Sequence, residues 1–100
     1  MNSVNILKVW IDADNRLCIK PQTATFEYIY RSAKGVNWNA DGCFLYSQPM
    51  RTMQPKEWFY HMLSAVENEY GCHLLITASS KWENVDDSVR QLILSESIKD

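Results

Sequence analysis

Glu57 and His61 stand one helical turn apart, so a carboxylate could orient an imidazole there. With Cys43 or Cys72 as nucleophile, the pair would give the beginnings of a thiol-dependent site. A cysteine needs a base within hydrogen-bond reach and a third group to orient that base. Such Glu–His pairs are also common on exposed helix faces. The sequence holds only two histidines, His61 and His73, and no nucleophile-elbow motif. Catalysis is therefore the lesser expectation. Asp12-Ala13-Asp14-Asn15 opens like a calcium loop, but Arg16, Leu17 and Thr23 stand where that loop needs an oxygen ligand, a glycine and an acid. A hairpin turn explains those residues better. Cys72 and His73 are adjacent, and in a strand they would point to opposite faces, which disfavours a shared metal ion. Without a C-x-x-C or H-x-x-x-H spacing, no metal and no cofactor are expected. Gly35 and Gly42 are isolated turn glycines and make no phosphate loop.

The positive signal is aromatic. Trp10, Trp38, Trp58 and Trp82 occur beside five tyrosines. Tryptophan fills cores, but it is also enriched at binding hot spots. Trp58 falls on a helical apolar stripe and reads as core. Trp10, Trp38, Tyr46 and Trp82, with Val4 and Ile6, form the candidate binding or interface surface. The competing reading is a second small core under the loops.

These residues must be positioned by elements legible in the apolar periodicity. Residues 4–11 read as a strand with two apolar faces, Leu7, Val9 and Ile11 on one and Val4, Ile6 and Trp10 on the other. Asp12–Asn15 is a turn, and residues 16–20 a second strand ended by Pro21. Phe26, Ile29, Tyr30 and Ala33 recur with helical spacing and predict a helix over 24–34, stopped by Gly35. Residues 36–38 and 43–47 flank Asp41-Gly42 and predict a hairpin. Pro55 at a first helical position and Gly71 as a left-handed stop bound a helix carrying Trp58, Phe59, Met62, Leu63, Val66 and Tyr70 on one stripe. Residues 72–77 make a fifth strand. Asn84 is placed to cap a last helix whose stripe is Val85, Val89, Leu92 and Ile93. The order β-β-α-β-β-α-β-α predicts one α+β domain over residues 1–100. Its largely antiparallel five-stranded sheet would carry helices on one face. The expected core is Leu7, Val9, Ile11, Leu17, Ile19, Ile29, Leu45, Phe59, Leu63, Val66, Leu74 and Ile76.

Bulk properties narrow the partners. A hydrophobic share of 46% and a charged share of 22% are those of a folded globule. A formal net charge of -2 disfavours nucleic acid. The charge is uneven, because Glu83, Asp86, Asp87, Glu96 and Asp100 outnumber Arg90 and Lys99 at the C-terminal end. That run reads as a solvated helix face. No secretory leader and no membrane span are expected. Cys18, Cys43 and Cys72, odd in number and widely spaced, read as reduced, mostly buried thiols of a cytoplasmic protein.

Three runs carry a family resemblance: Arg16-Leu17-Cys18-Ile19-Lys20-Pro21, then Ala24-Thr25-Phe26-Glu27-Tyr28-Ile29-Tyr30-Arg31, then Glu69-Tyr70-Gly71-Cys72-His73-Leu74 with Trp82 and Val85. Together they resemble small bacterial proteins encoded on integron gene cassettes and similar mobile elements. The resemblance implies a cytoplasmic bacterial protein, often an oligomer, with an adaptive or accessory role. It assigns no activity, so no site residue carries over. The leading expectation is a non-catalytic binding module that pairs with itself as a homodimer or with another protein. One alternative is an immunity or antitoxin-type protein whose acidic C-terminal helix masks a basic toxin. Others are a small enzyme using Glu57 and His61, or a domain binding a small molecule.

Overall fold

The computed structural model describes residues 2–51 and 54–97. β1 (Asn2–Ile11), rich in Val, Ile, Leu and Trp, is the central strand. Along one edge it pairs antiparallel with β2 (Leu17–Pro21). Asp12 builds the turn between them. Its carboxylate accepts hydrogen bonds from the backbone N–H groups of Asp14 and Arg16 and from the Arg16 guanidinium, at 2.8–3.0 Å. Asn15, at φ 61°, supplies the left-handed step. β3 (Val36–Asn39) and β4 (Phe44–Ser47) form a hairpin that docks on β2 through β4.

Along its other edge β1 pairs parallel with β5 (Cys72–Leu75) and then with β6 (Lys81–Glu83). The returning chain therefore runs beside β1 twice, with three surplus residues looped out between the two pairings. Ser80 pins that loop: its hydroxyl donates to the Ile6 carbonyl at 2.6 Å and accepts from the Thr77 N–H at 2.9 Å. A parallel return needs a long crossover. α1 (Pro55–Tyr70) provides it, ending at Gly71 with φ 62°. α2 (Asp87–Ser97) follows β6. The fold is α+β, and its sheet is mixed: six strands ordered β3-β4-β2-β1-β5, with β6 also on β1.

Both helices cover one face of this sheet. Trp58, Phe59, Met62, Ala65 and Val66 of α1 and Ile93 of α2 join Val9, Leu17, Ile19, Val36, Leu45 and Leu74 in a single core. The Tyr60 hydroxyl donates to the Ile93 carbonyl at 2.8 Å and ties the helices together.

Three expectations are corrected. Residues 24–34 are turns around one 3-10 turn, Ile29–Arg31, and not an α-helix. Phe26, Ile29 and Ala33 are buried as the stripe requires, but Tyr30 is exposed. Aromatic and β-branched residues give this segment little helical propensity. The Tyr28 N–H is taken by the Tyr70 hydroxyl at 2.8 Å. Second, the register of β1 shifts between Ile6 and Lys8. This bulge lets Ile6 and Val9 both face the core, with Val4 and Ile11 packed against it, and leaves Leu7 41% exposed. The strand does not carry two full apolar faces. The rest of the expected core is buried or, at Ile11, Leu63 and Ile76, half-buried. Third, Asn84 does not cap α2. It sits at φ 54° and its side-chain amide donates to the Ile11 carbonyl at 2.8 Å. Leu92, placed on the buried stripe of α2, is 54% exposed. Of the acidic C-terminal run, Lys99 and Asp100 lie outside the described residues.

Candidate functional site on the outer face of the sheet

The face of the sheet away from the helices is built by strand alternation. Residues paired across neighbouring strands share a face. One row runs Asn37, Tyr46, Cys18, Trp10 and Glu83 across β3, β4, β2, β1 and β6. The next row is Lys20, Lys8 and Lys81, side by side on β2, β1 and β6. The Trp10 and Phe44 rings meet edge-on at 4.8 Å, and Phe44 meets Tyr46 at 6.1 Å. Gly42 makes room for this: a Cβ there would lie 2.5 Å from the Phe44 ring, so the glycine is demanded by packing. The Arg16 guanidinium sits 4.8 Å over Tyr46 and the Lys8 ammonium 5.2 Å over Trp10. Lys8 also reaches Glu83 at 2.9 Å. Leu7 and Leu75 are exposed towards the β5 end of the same face.

Beneath the aromatic row lies Cys18, fully buried yet outside the main core. Burial, reinforced by the Asp12 carboxylate 4.0 Å away, pushes its thiol up to about 12. It is therefore protonated and unreactive at neutral pH. Burial also pushes Asp12 up, but the hydrogen bonds it accepts from Arg16 and Asp14 outweigh that, and its carboxyl is held below the ordinary value.

The candidate residues divide between the two faces. Trp10 and Tyr46 lie on the outer face. Trp38 pairs with Leu45 and Trp82 with Val9, so both point to the helix side, where they pack against the core. Trp38 meets Phe26 edge-on at 5.7 Å. Val4 and Ile6 are on the core side as well. Sequence reasoning missed Phe44, Leu7 and Leu75. Phe44 alternates with Tyr46 along β4, and that spacing was the available signal. Leu7 depends on the bulge, which no residue pattern announces.

The residues weighed for catalysis are occupied elsewhere. The Glu57 carboxylate accepts the Gln54 N–H at 2.9 Å at the start of α1. His61 packs edge-on against Trp58 at 5.6 Å. Cys43 is exposed in the β3–β4 turn. Cys72 is buried in the core, where loss of solvent raises its pKa. The His73 ring stands 3.6 Å from Glu67. Among the described residues, no group of three or more His, Cys, Asp or Glu side chains is placed to hold a metal ion. No described helix is long and apolar enough to cross a membrane.

A family model described as Integron Cassette Protein Hfx_Cass5 matches residues 4–80. The chain belongs to the Hfx_Cass5 integron cassette protein family. The expected resemblance to cassette-encoded proteins is confirmed. The Hfx_Cass5 match spans β1 to β5, and so holds Trp10, Cys18, Phe44 and Tyr46, while β6 and α2 lie beyond it. Among solved structures, the Hfx_Cass5 protein from the mobile metagenome of the North West Arm sewage outfall is 27% identical. That match covers 97% of each chain, with a TM-score of 0.49. No curated protein matches.

Proposed function

We propose that this chain is a non-catalytic binding module whose contact surface is the outer face of the sheet, with a second copy of itself as partner. The observation that carries the reading is the half-exposed Trp10–Phe44–Tyr46 row, with Leu7 and Leu75 exposed beyond the lysine row. Aromatic rings with neighbouring arginine and aliphatic groups are what interface centres are made of. A two-faced first strand lends no support, because Val4 and Ile6 belong to the core. The second copy is favoured by charge. The outer face presents Lys8, Lys20 and Lys81 abreast, with Glu83 already paired to Lys8, and the same chain carries Asp86 and Asp87 beyond β6. One copy's acidic end complements the other's lysine row. Sedimentation velocity at about 50 µM, a concentration that populates even modest self-association, tests this. The wild type is expected as a dimer, and Leu7→Glu with Leu75→Glu as a monomer whose Tm matches that of wild type diluted until it dissociates. A monomeric wild type would sink the reading.

A further inference from the structure

On the opposite side from that contact face, a cavity of about 340 Å³ opens between the β5–β6 loop and α2. Ile76, Trp82 and Leu94 form its apolar walls, and Arg90 of α2 lines it. The Nε atom of Arg90 is buried and has no hydrogen-bond partner among the described residues. A guanidinium N–H kept from both water and any acceptor is costly, and a carboxylate that drew the half-buried Arg90 side chain towards the cavity would relieve that cost. The loop on the other wall is held before anything binds. Ser80 is fixed to Ile6 and Thr77, and the Ser79 N–H is bonded to the Thr77 hydroxyl at 3.1 Å.

We propose that this cavity binds a small organic carboxylate with an apolar body, its two oxygens engaging the Arg90 guanidinium and its hydrocarbon part lying among Ile76, Trp82 and Leu94. The planar fork of arginine matches a carboxylate. The volume is at the lower end for small-molecule sites, which limits the body to about one ring or a short chain. A free metabolite acid and the C-terminus of a peptide share this chemistry. The site is independent of the outer face, so it stands or falls apart from the self-association reading.

The test is titration of the ¹⁵N-labelled protein, following the Arg90 Nε–H resonance. Phenylacetate should move that signal saturably, with Kd below about 10 mM for a ligand of this size. Phenylacetamide, which lacks the charge, and acetate, which lacks the ring, should each bind at least about tenfold more weakly, the loss of roughly one good contact. Acetyl-Ala-Phe with a free C-terminus separates the two sources: binding tighter than phenylacetate would assign the site to peptide ends, and weaker binding to free acids. Arg90→Gln should abolish the phenylacetate response elsewhere in the cavity, with its Tm recorded as the folding control. An Arg90 signal unmoved by phenylacetate, or moved equally by the amide, would overturn the proposal without recourse to any variant.

Discussion

Two of the three cysteines, Cys18 and Cys43, sit only a few ångströms of chain from the aromatic row, yet their environments are opposite. Cys43 is exposed, whereas Cys18 is sealed with its thiol pushed up to about 12. Alkylation by iodoacetamide at pH 8, followed by peptide mass spectrometry, should label Cys43 within minutes and leave Cys18 unmodified until denaturant is added. Labelling of both at one rate would contradict the burial described. Asp12 offers a second check. Its three accepted hydrogen bonds hold the β1–β2 turn, so Asp12→Ala should cost about 1–2 kcal/mol in urea unfolding. Its folded-state pKa lies below the unfolded value of about 3.9. The stabilisation is thus full above that value and is lost as pH falls through the lower, folded one. Asp12→Asn should flatten that acid slope, and an unchanged slope would assign the acid sensitivity to another carboxylate. Asp12 as a turn-former was legible in its sequence, since the calcium-loop pattern fails at Arg16, Leu17 and Thr23. That Cys18 is a buried thiol was legible in the burial habit of cysteine, but what seals it was not, because the rings over it come from β1 and β4.

Three lysines abreast on adjacent strands are an element-level anomaly. Like charges directly opposite one another on a sheet face are destabilising, here only partly offset by the Lys8–Glu83 pair. Lys20→Glu should therefore raise stability by about 0.5 kcal/mol at low ionic strength, and the gain should shrink in high salt. A loss of stability would mean that the Lys20 side chain contributes packing that outweighs the repulsion. The elements themselves were unevenly legible. α1 announced itself through Pro55, Gly71 and a long apolar stripe, because those signals are local and agree. The β3–β4 hairpin followed from Asp41-Gly42, although the left-handed residue of its turn is Cys43, at φ 57°. Residues 24–34 carried a helical stripe but no helix, since Phe26, Ile29 and Ala33 reach the core from turns. β6 was not legible, because three residues with one inward tryptophan give no periodicity of their own. What makes Lys81–Glu83 a strand is the open edge of β1.

At the scale of the molecule, the aromatic surplus that drew attention to a surface serves two ends. Trp38, Trp58 and Trp82 help to close the helix side, and Trp10 with Phe44 and Tyr46 furnishes the other. Residue counts found the rings but could not divide them, because the division depends on the β1 bulge and on cross-strand register, which are long-range facts. The order in which the sheet is assembled has a separate outcome. Asn2 waits for Cys72, and Trp10 waits for Glu83, before that flank of the middle strand is satisfied. A ribosome thus releases the oldest segment long before its last neighbours emerge. A message cut short before Cys72 would yield a product with raw, adhesive backbone along that flank, prone to clump or be degraded.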